Sequence, residues 1–499
     1  MSTSFYAADN ITDRKTEVFI VKETPKSEID TVYETERCAM WIEQGRYKRV
    51  ALQFPDEFLV DSVAVVGNLE GKCDAALFIL GDTSYGSCCV DEIAAEHNLA
   101  DCVVHYGPAC LSPICRLPVL YVFGQKPFDV DHCVETFKEL IPSQKQKVVL
   151  MYNTVYAYKI DVLFETLIKL YPCLLLSKLE LPSSAPLETT PSELNKHLNT
   201  RDTPACKIPK CGRTVQLPPD ENIDSYIVFY IGKESPTLTN LMMNFNKCPF
   251  YTYDPNTSTG RREILNINKA LMKRYYMVEK AKDADIVGIV VGTLGVANYL
   301  QLISRLKLLI KTAGKKSYMF VVGKLNVAKL ANFPEIDVFV LVACAENTLI
   351  DSSEFYKPVV TPFEMEIACN KARQWTGDYI TDFQDILPGS ADFVELKSAG
   401  SDEETEGDVS LISNKIRYLG KHTDIPTIST DVLPRNDSTT VSTVKAQTAG
   451  EFLDSRSWKG LEQKLGETPV KLASEGSFGI AASYDYENLK EAACKTEDS

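Results

Sequence analysis

The feature that most constrains this chain is a recurring pair of segments: a short, unbroken apolar run rich in β-branched and aromatic residues, then a turn and an amphipathic stretch. Runs without polar alternation suit strands buried on both faces. Their alternation with helical segments is the pattern of parallel sheets covered by helices. Three blocks are legible. The first has runs at 49–54, 75–80, 102–106 and 119–123, with a helical segment over 56–69. The second has runs at 147–152, 173–176 and 226–231, a helix near 161–171, and a Pro-, Ser- and Thr-rich insertion over 182–224 that reads as a long loop. The third has a helix over 262–284, strands at 286–291, 318–322 and 337–343, and a helix over 298–312.

The expected organisation is therefore an arm (1–32), three α/β domains (33–140, 141–256 and 257–375) and a tail (376–499). The tail is expected to be mostly mobile, because residues 399–408 are acidic and the stretches beyond are rich in Ser, Thr, Asn and Asp. Within it, residues 453–465 read either as a short helix docking through Trp458 or as an unattached segment.

Charge and cysteine usage narrow the function. With 53 Lys+Arg against 68 Asp+Glu the net charge is −15, which argues against non-specific binding to nucleic acid or anionic lipid. The first residues carry Asp9, Asp13 and Glu17 and no apolar core of the kind a secretory signal needs. The uncharged run 286–304 contains Gly292, Thr293, Gly295, Asn298 and Gln301, and reads as strand, glycine turn and helix rather than a membrane span. A cytoplasmic protein is expected, with no membrane and no nucleic acid among its partners. In a reducing compartment its 15 cysteines are buried apolar side chains or metal ligands, not disulfides.

Parallel α/β units place ligands beyond the carboxyl ends of their strands, and this sorts the thiols. Cys73, Cys102 and Cys173 fall before or inside apolar runs and read as core. Cys88 and Cys89 follow a strand and a turn and precede a helical stretch, whose N-terminus favours the thiolate. Cys110 lies just past the strand 102–106, and Cys344 closes the strand 337–343. These three positions are 21 and 234 residues apart and match no local signature, and no C-x-x-C occurs anywhere. From spacing alone they are either a shared metal site or ordinary loop thiols. Gly292-Thr293-Leu294-Gly295 opens a helix after a strand, as a phosphate loop or as a tight turn. With five histidines, no Walker loop, no H-E-x-x-H and no assembled triad, hydrolase and kinase readings have no support.

At these residues the sequence resembles the diphthamide synthesis family. The motifs, in order, are GDTSYGSCCVDEIAAEH (81–97), HYGPACLSP (105–113), YDP (253–255), GTLG (292–295) and VACAENTLI (342–350). The resemblance implies three related α/β domains around a central [4Fe-4S] cluster held by three cysteines, one iron being open to S-adenosylmethionine in the catalytic members. An electron from that cluster cleaves the bond from sulfur to the methionine γ-carbon. The resulting 3-amino-3-carboxypropyl radical adds to an imidazole carbon of a histidine in translation elongation factor 2.

Departures from the pattern point to a particular role. The catalytic relatives carry a middle-domain cysteine in a Gly-Cys-Thr motif, where this chain reads Gly212-Arg213-Thr214. It also has GTLGVAN, with Val296 and Ala297, in place of GTLGRQG; HYGP, ending at Pro108, in place of HYGH; and VACAENT in place of VACPRLS. The implied role is an accessory subunit whose [4Fe-4S] cluster supports reduction of the catalytic subunit's cluster. Its metal ligands would be Cys89, Cys110 and Cys344, with no catalytic residue of its own. Cys88 is the alternative to Cys89, and Cys211 could replace the lost middle ligand. Implied partners are the homologous catalytic subunit in a heterodimer, a small iron-containing electron donor, and elongation factor 2 as substrate. Two other readings stay open: a self-sufficient transferase that cleaves S-adenosylmethionine, and a cluster-free scaffold.

Overall fold

The computed structural model describes residues 23–81, 86–181, 206–219, 221–263, 265–323, 325–350, 354–396, 408–412, 416–417, 479–480 and 483–484. Trp458 and its flanking segment lie outside these, as do Asp82 to Tyr85 of the first cysteine motif.

The first unit runs α1 (Ile29–Val32), α2 (Thr35–Gly45), β1 (Arg49–Gln53), α3 (Ser62–Glu70), β2 (Ala76–Leu80), α4 (Glu92–His97), β3 (Cys102–Tyr106) and β4 (Val119–Val122). The second adds α5 (Val130–Leu140), β5 (Val148–Tyr152), α6 (Ala157–Ile168), β6 (Leu174–Leu176), β7 (Lys178–Leu179), β8 (Cys206–Lys210), β9 (Arg213–Leu217), β10 (Ile227–Ile231), α7 (Pro236–Asn244), β11 (Phe250–Asp254) and β12 (Thr259–Arg262). The third is α8 (Leu265–Asp283), β13 (Ile286–Val291), α9 (Tyr299–Thr312), β14 (Lys316–Val321), α10 (Val327–Ala331), β15 (Val338–Val342), β16 (Val359–Val360) and α11 (Pro362–Cys369).

Each unit has a four-stranded parallel sheet of one topology: its first strand lies between its second and third, and the fourth lies outside the third. The orders are β2-β1-β3-β4, β6-β5-β10-β11 and β14-β13-β15-β16, with β12 added antiparallel beyond β11. The expected three-sheet α/β fold is thus observed, and its sheets repeat one design. The central strands β3, β5, β10, β13 and β15 are buried along their whole length, which is why their sequences are apolar runs broken only by His105 in β3. Side-chain caps start the helices where the backbone leaves N–H groups unpaired. Asp129 caps α5, Ser235 caps α7 ahead of Pro236, and Thr361 forms a reciprocal capping box with Glu364 at α11.

The structure corrects the sequence reading in three places. Helix α5, expected to end the first domain at residue 140, buries Cys133, Val134 and Phe137 in the second core, where Phe137 meets Phe229 at 4.7 Å and Tyr171 at 4.9 Å. The insertion expected as a loop over 182–224 contains an antiparallel hairpin, β8–β9, joined by β7 into a three-stranded sheet. Its tight turn is Cys211-Gly212, with both residues at left-handed φ (55° and 67°), the conformation that matches hairpin twist. The tail expected from residue 376 does not begin there, because Tyr379, Ile380, Phe383, Ile386 and Leu387 belong to the third core.

That last segment is held by charge as well as apolar contact. Arg274 pairs with Glu364 through Nε at 2.5 Å and Nη2 at 2.6 Å, and Tyr379 Oη donates to the same carboxylate at 2.8 Å. Arg305 Nη2 donates to Glu366 at 2.6 Å and to the Val394 carbonyl at 2.7 Å. Beyond residue 431 the chain forms a second compact unit, described only as the short hairpin of Gly479–Ile480 with Ser483–Tyr484. Among the described residues no helix is long and apolar enough to cross a membrane.

Candidate metal centre

Three segments converge beyond the carboxyl ends of the first and third sheets. After β2 the chain makes a tight turn in which Cys89 N donates to the Gly86 carbonyl at 3.0 Å. Buried Gln53, the last residue of β1, grips the backbone on either side of Val90: its Nε2 donates to the Cys89 carbonyl at 2.7 Å and its Oε1 accepts from Asp91 N at 2.9 Å. The loop after β3 carries Cys110, whose N–H donates to the Cys88 carbonyl at 3.0 Å. Glu92 anchors the far end of that loop by accepting from Arg116 N at 2.7 Å and Leu117 N at 2.8 Å. Cys344 stands two residues past β15, in a turn closed by Asn347 N donating to its carbonyl at 3.1 Å.

The result is a four-sulfur group. The Sγ atoms of Cys88, Cys89, Cys110 and Cys344 all lie within 4.8 Å of one another, and all four residues are buried. Cys88 and Cys344 are 3.8 Å apart, and Cys89 and Cys110 are 3.9 Å apart. Asn347 Nδ2 donates to Cys88 Sγ at 3.3 Å. The structure therefore brings Cys89, Cys110 and Cys344 together and places Cys88 with them. Cys211 is not in the group. Its thiol is pushed up to about 12 by burial beside Asp382, and it sits in the β8–β9 turn. Of the thiols read as core, Cys102 is buried, Cys73 is half-buried and Cys173 is exposed.

The thiols share hydrogen bonds that hold Cys110 well below the usual range and push Cys88, Cys89 and Cys344 up. Removing the remaining protons would place four like charges in a buried space, which only a bound cation can offset. The expected help from a helix N-terminus is absent: α4 has six residues and begins three positions past Cys89. His105 is buried and pushed down to about 4 by burial, so it is neutral; its Nε2 lies 3.3 Å from the Ser87 carbonyl. Burial also pushes the carboxyls of Glu346 and Asp382 up, to about 7 and about 6.

The GTLG turn is explained by packing. A Cβ on Gly295 would stand 2.5 Å from the Val90 carbonyl oxygen, next to the cysteine pair. Ala297 N then donates to the Pro113 carbonyl at 2.9 Å. Gly295 is glycine so that the third unit can close on the cysteine loop. Gly295→Ala is expected to destabilise the fold by about 1–3 kcal/mol, the usual cost of overpacking. In the same urea titration Gly67→Ala, on α3 with nothing within 4 Å of the added carbon, should be neutral or stabilising.

The segment past α11 covers this region. Gln384 Nε2 donates to the Ala297 carbonyl at 2.6 Å, and Asn298 Nδ2 donates to Gln384 Oε1 at 3.0 Å. Asn244 Nδ2 on α7 donates to Thr381 at 2.7 Å. The sequence reading missed this strap. The signal was available in Trp375, Tyr379 and Phe383, apolar positions at four-residue spacing within a region otherwise read as polar.

Comparison with known proteins agrees with the motifs. The family described as "Putative diphthamide synthesis protein" matches residues 54–380. The chain is 49% identical over 474 residues to 2-(3-amino-3-carboxypropyl)histidine synthase subunit 2 of Danio rerio, covering 94% of both chains. It is 41% identical over 492 residues to the protein of that name from Schizosaccharomyces pombe, again covering 94% of both. Among solved structures it is similar to Dph2 from Pyrococcus horikoshii with a 4Fe-4S cluster, at TM-score 0.52 and 21% identity, covering 72% of this chain and 94% of that one. On the extent of these matches, and on the repeated three-sheet fold that carries their motifs, the chain belongs to the diphthamide synthesis family.

Proposed function

We propose that this chain is the accessory iron–sulfur subunit of a heterodimeric 3-amino-3-carboxypropyl transferase. The complex would act in the first step of diphthamide synthesis, on a histidine of translation elongation factor 2. The catalytic subunit is a homologue of this fold and cleaves S-adenosylmethionine, and a small iron-containing protein supplies electrons. The names of the curated relatives and the 4Fe-4S cluster of the Pyrococcus horikoshii protein support this reading.

The observation that carries it is the fourth sulfur. Cys88, Cys89, Cys110 and Cys344 would offer a [4Fe-4S] cluster one thiolate for each iron, and a group so held would supply single electrons without an open Lewis-acid position. The donor set fits: four buried thiols from three segments, hydrogen-bonded to one another and to Asn347. Gln53 and Glu92 hold the two first-unit segments in register, and the strap containing Gln384 is tied to the GTLG turn at Ala297. Arg213, in place of a middle-domain cysteine, adds no ligand.

One rival is favoured by the sulfur spacing. Thiolates bound to a single tetrahedral zinc at about 2.3 Å stand roughly 3.8 Å apart, close to the spacing of Cys88 and Cys344.

The test is the full chain purified anaerobically, alone and with the catalytic homologue, S-adenosylmethionine, elongation factor 2 and a reductant. The isolated chain should bind iron and sulfide and transfer nothing, and the mixture should transfer. Turnover by the isolated chain would establish a self-sufficient enzyme; restoration of activity by an iron-free chain would establish a scaffold; zinc in place of iron would establish the single-ion site. Cys88→Ala should retain iron while making one iron distinct in the Mössbauer spectrum, and an unchanged spectrum would remove Cys88 from the ligand set.

A further inference from the structure

Arg213 occupies a position that packing alone does not account for. It opens β9 one residue past the hairpin turn, and that turn is pressed onto the Cys110 loop: a Cβ on Gly212 would stand 2.5 Å from Leu111 Cβ. The Arg213 side chain is buried, with 4% of the residue exposed, and its guanidinium carbon lies 5.4 Å over the Tyr152 ring. Its Nη1 has no hydrogen-bond partner, and neither does the neighbouring buried Tyr230 hydroxyl. Among the described residues no carboxylate forms an ion pair with it. Glu346, two residues past Cys344 and in the same region, instead accepts from Thr237 Oγ1 at 2.8 Å.

A buried cation without a counter-charge is expensive, by several kcal/mol in proteins generally. Arg213 acts electrostatically on buried Glu346, as Cys110 does, without an ion pair between them, and the cysteine group held by the Cys110 loop would become strongly anionic once all four thiols ligate a metal cluster. Such a cluster gains a further negative charge on reduction. A fixed positive charge in a poorly solvated wall therefore stabilises the reduced form more than the oxidised form.

We propose that Arg213 is a potential-setting residue, whose buried guanidinium, on the hairpin packed against the Cys110 loop, raises the reduction potential of the cluster bound there. The inference rests on the iron–sulfur reading above. It gives the replacement of a middle-domain ligand by arginine a positive role: the position contributes charge instead of a bond, and makes the cluster easier to fill with an electron.

The experiment is an EPR-monitored redox titration of the full chain after anaerobic reconstitution, for the parent and for Arg213→Met, Arg213→Gln and Arg213→Lys. Iron and sulfide content is measured first. A parent chain without a cluster overturns the iron–sulfur reading and this inference with it. If the parent and variants hold equal iron, Arg213→Met and Arg213→Gln should each lower the reduction equilibrium constant at least tenfold, a negative shift of about 59 mV for a one-electron couple, and Arg213→Lys should stay near the parent. Unchanged potentials in the neutral variants overturn the inference. If Arg213→Met fails to take up iron, the comparison of Arg213→Gln with Arg213→Lys decides it, and equal loss of iron in all three assigns Arg213 a purely structural role.

Discussion

Replacing Cys344 by alanine should reduce bound iron in the reconstituted full chain from about four per chain to background. Cys344 is the one thiol of the group contributed by the third unit, and it lies 256 residues from Cys88 in sequence. Its loss leaves three thiols on two loops of one sheet and an apolar wall opposite. The control is Cys248→Ala, which removes a thiol equally buried in the second core, where Cys248 Sγ lies 3.4 Å from the Ile223 carbonyl. That variant should keep its iron and lose only packing, so iron analysis separates ligand loss from general damage. Full iron with a parent-like spectrum in Cys344→Ala would refute the ligand assignment. Because the ligands come from two units, removing the metal with a chelator should also lower the melting temperature of the parent and leave that of Cys344→Ala unchanged.

Arg274→Met should destabilise the first compact unit by about 3–5 kcal/mol, the usual cost of leaving one member of a buried ion pair alone. Glu364 is fully buried and satisfied on every side: by two guanidinium nitrogens, by the Tyr379 hydroxyl, and by Thr361 N at 2.9 Å. Without Arg274 its charge has no cationic partner in a low-dielectric interior, and the Thr361 N–H and Tyr379 hydroxyl are left as its donors. The double variant Arg274→Met, Glu364→Leu should recover a large part of the loss, because it removes both charges. Urea unfolding of the two variants and the parent is the measurement, and a loss below about 1 kcal/mol, the value of an exposed pair, would show that the pair is solvated. The same network holds Tyr379, so limited proteolysis between residues 376 and 396 should accelerate in Arg274→Met.

The two results concern features of unequal visibility in the sequence. Strands such as Cys102–Tyr106 and Ile286–Val291 were legible to the residue, because a strand buried on both faces is predominantly apolar, His105 being the one polar position. Their carboxyl ends marked the loops carrying Cys89, Cys110 and Cys344. The Arg274–Glu364 pair was not legible, since 90 residues separate the partners and neither sits in a motif. The β8–β9 hairpin escaped because its turn, Cys211-Gly212, lies in a Pro- and Ser-rich stretch that resembles a loop by composition. The segment containing Tyr379 and Phe383 escaped because its polar residues are caps and cross-links instead of solvent contacts.

By itself, then, the sequence determined three parallel sheets, the strand ends at which chemistry could sit, and the family motifs. These depend on local patterns: apolar runs, turn residues and fixed short spacings. Which thiols meet was decided only in three dimensions. Cys88 and Cys89 are adjacent in the chain, and no local rule states that both sulfurs turn inward. That arrangement comes from the Gly86 turn, from Gln53 gripping the backbone beyond them, and from Gly295 letting the third unit close to within reach. The recurring strand-and-helix unit produced three sheets of one topology, and only their packing against one another brought four buried sulfurs within 4.8 Å.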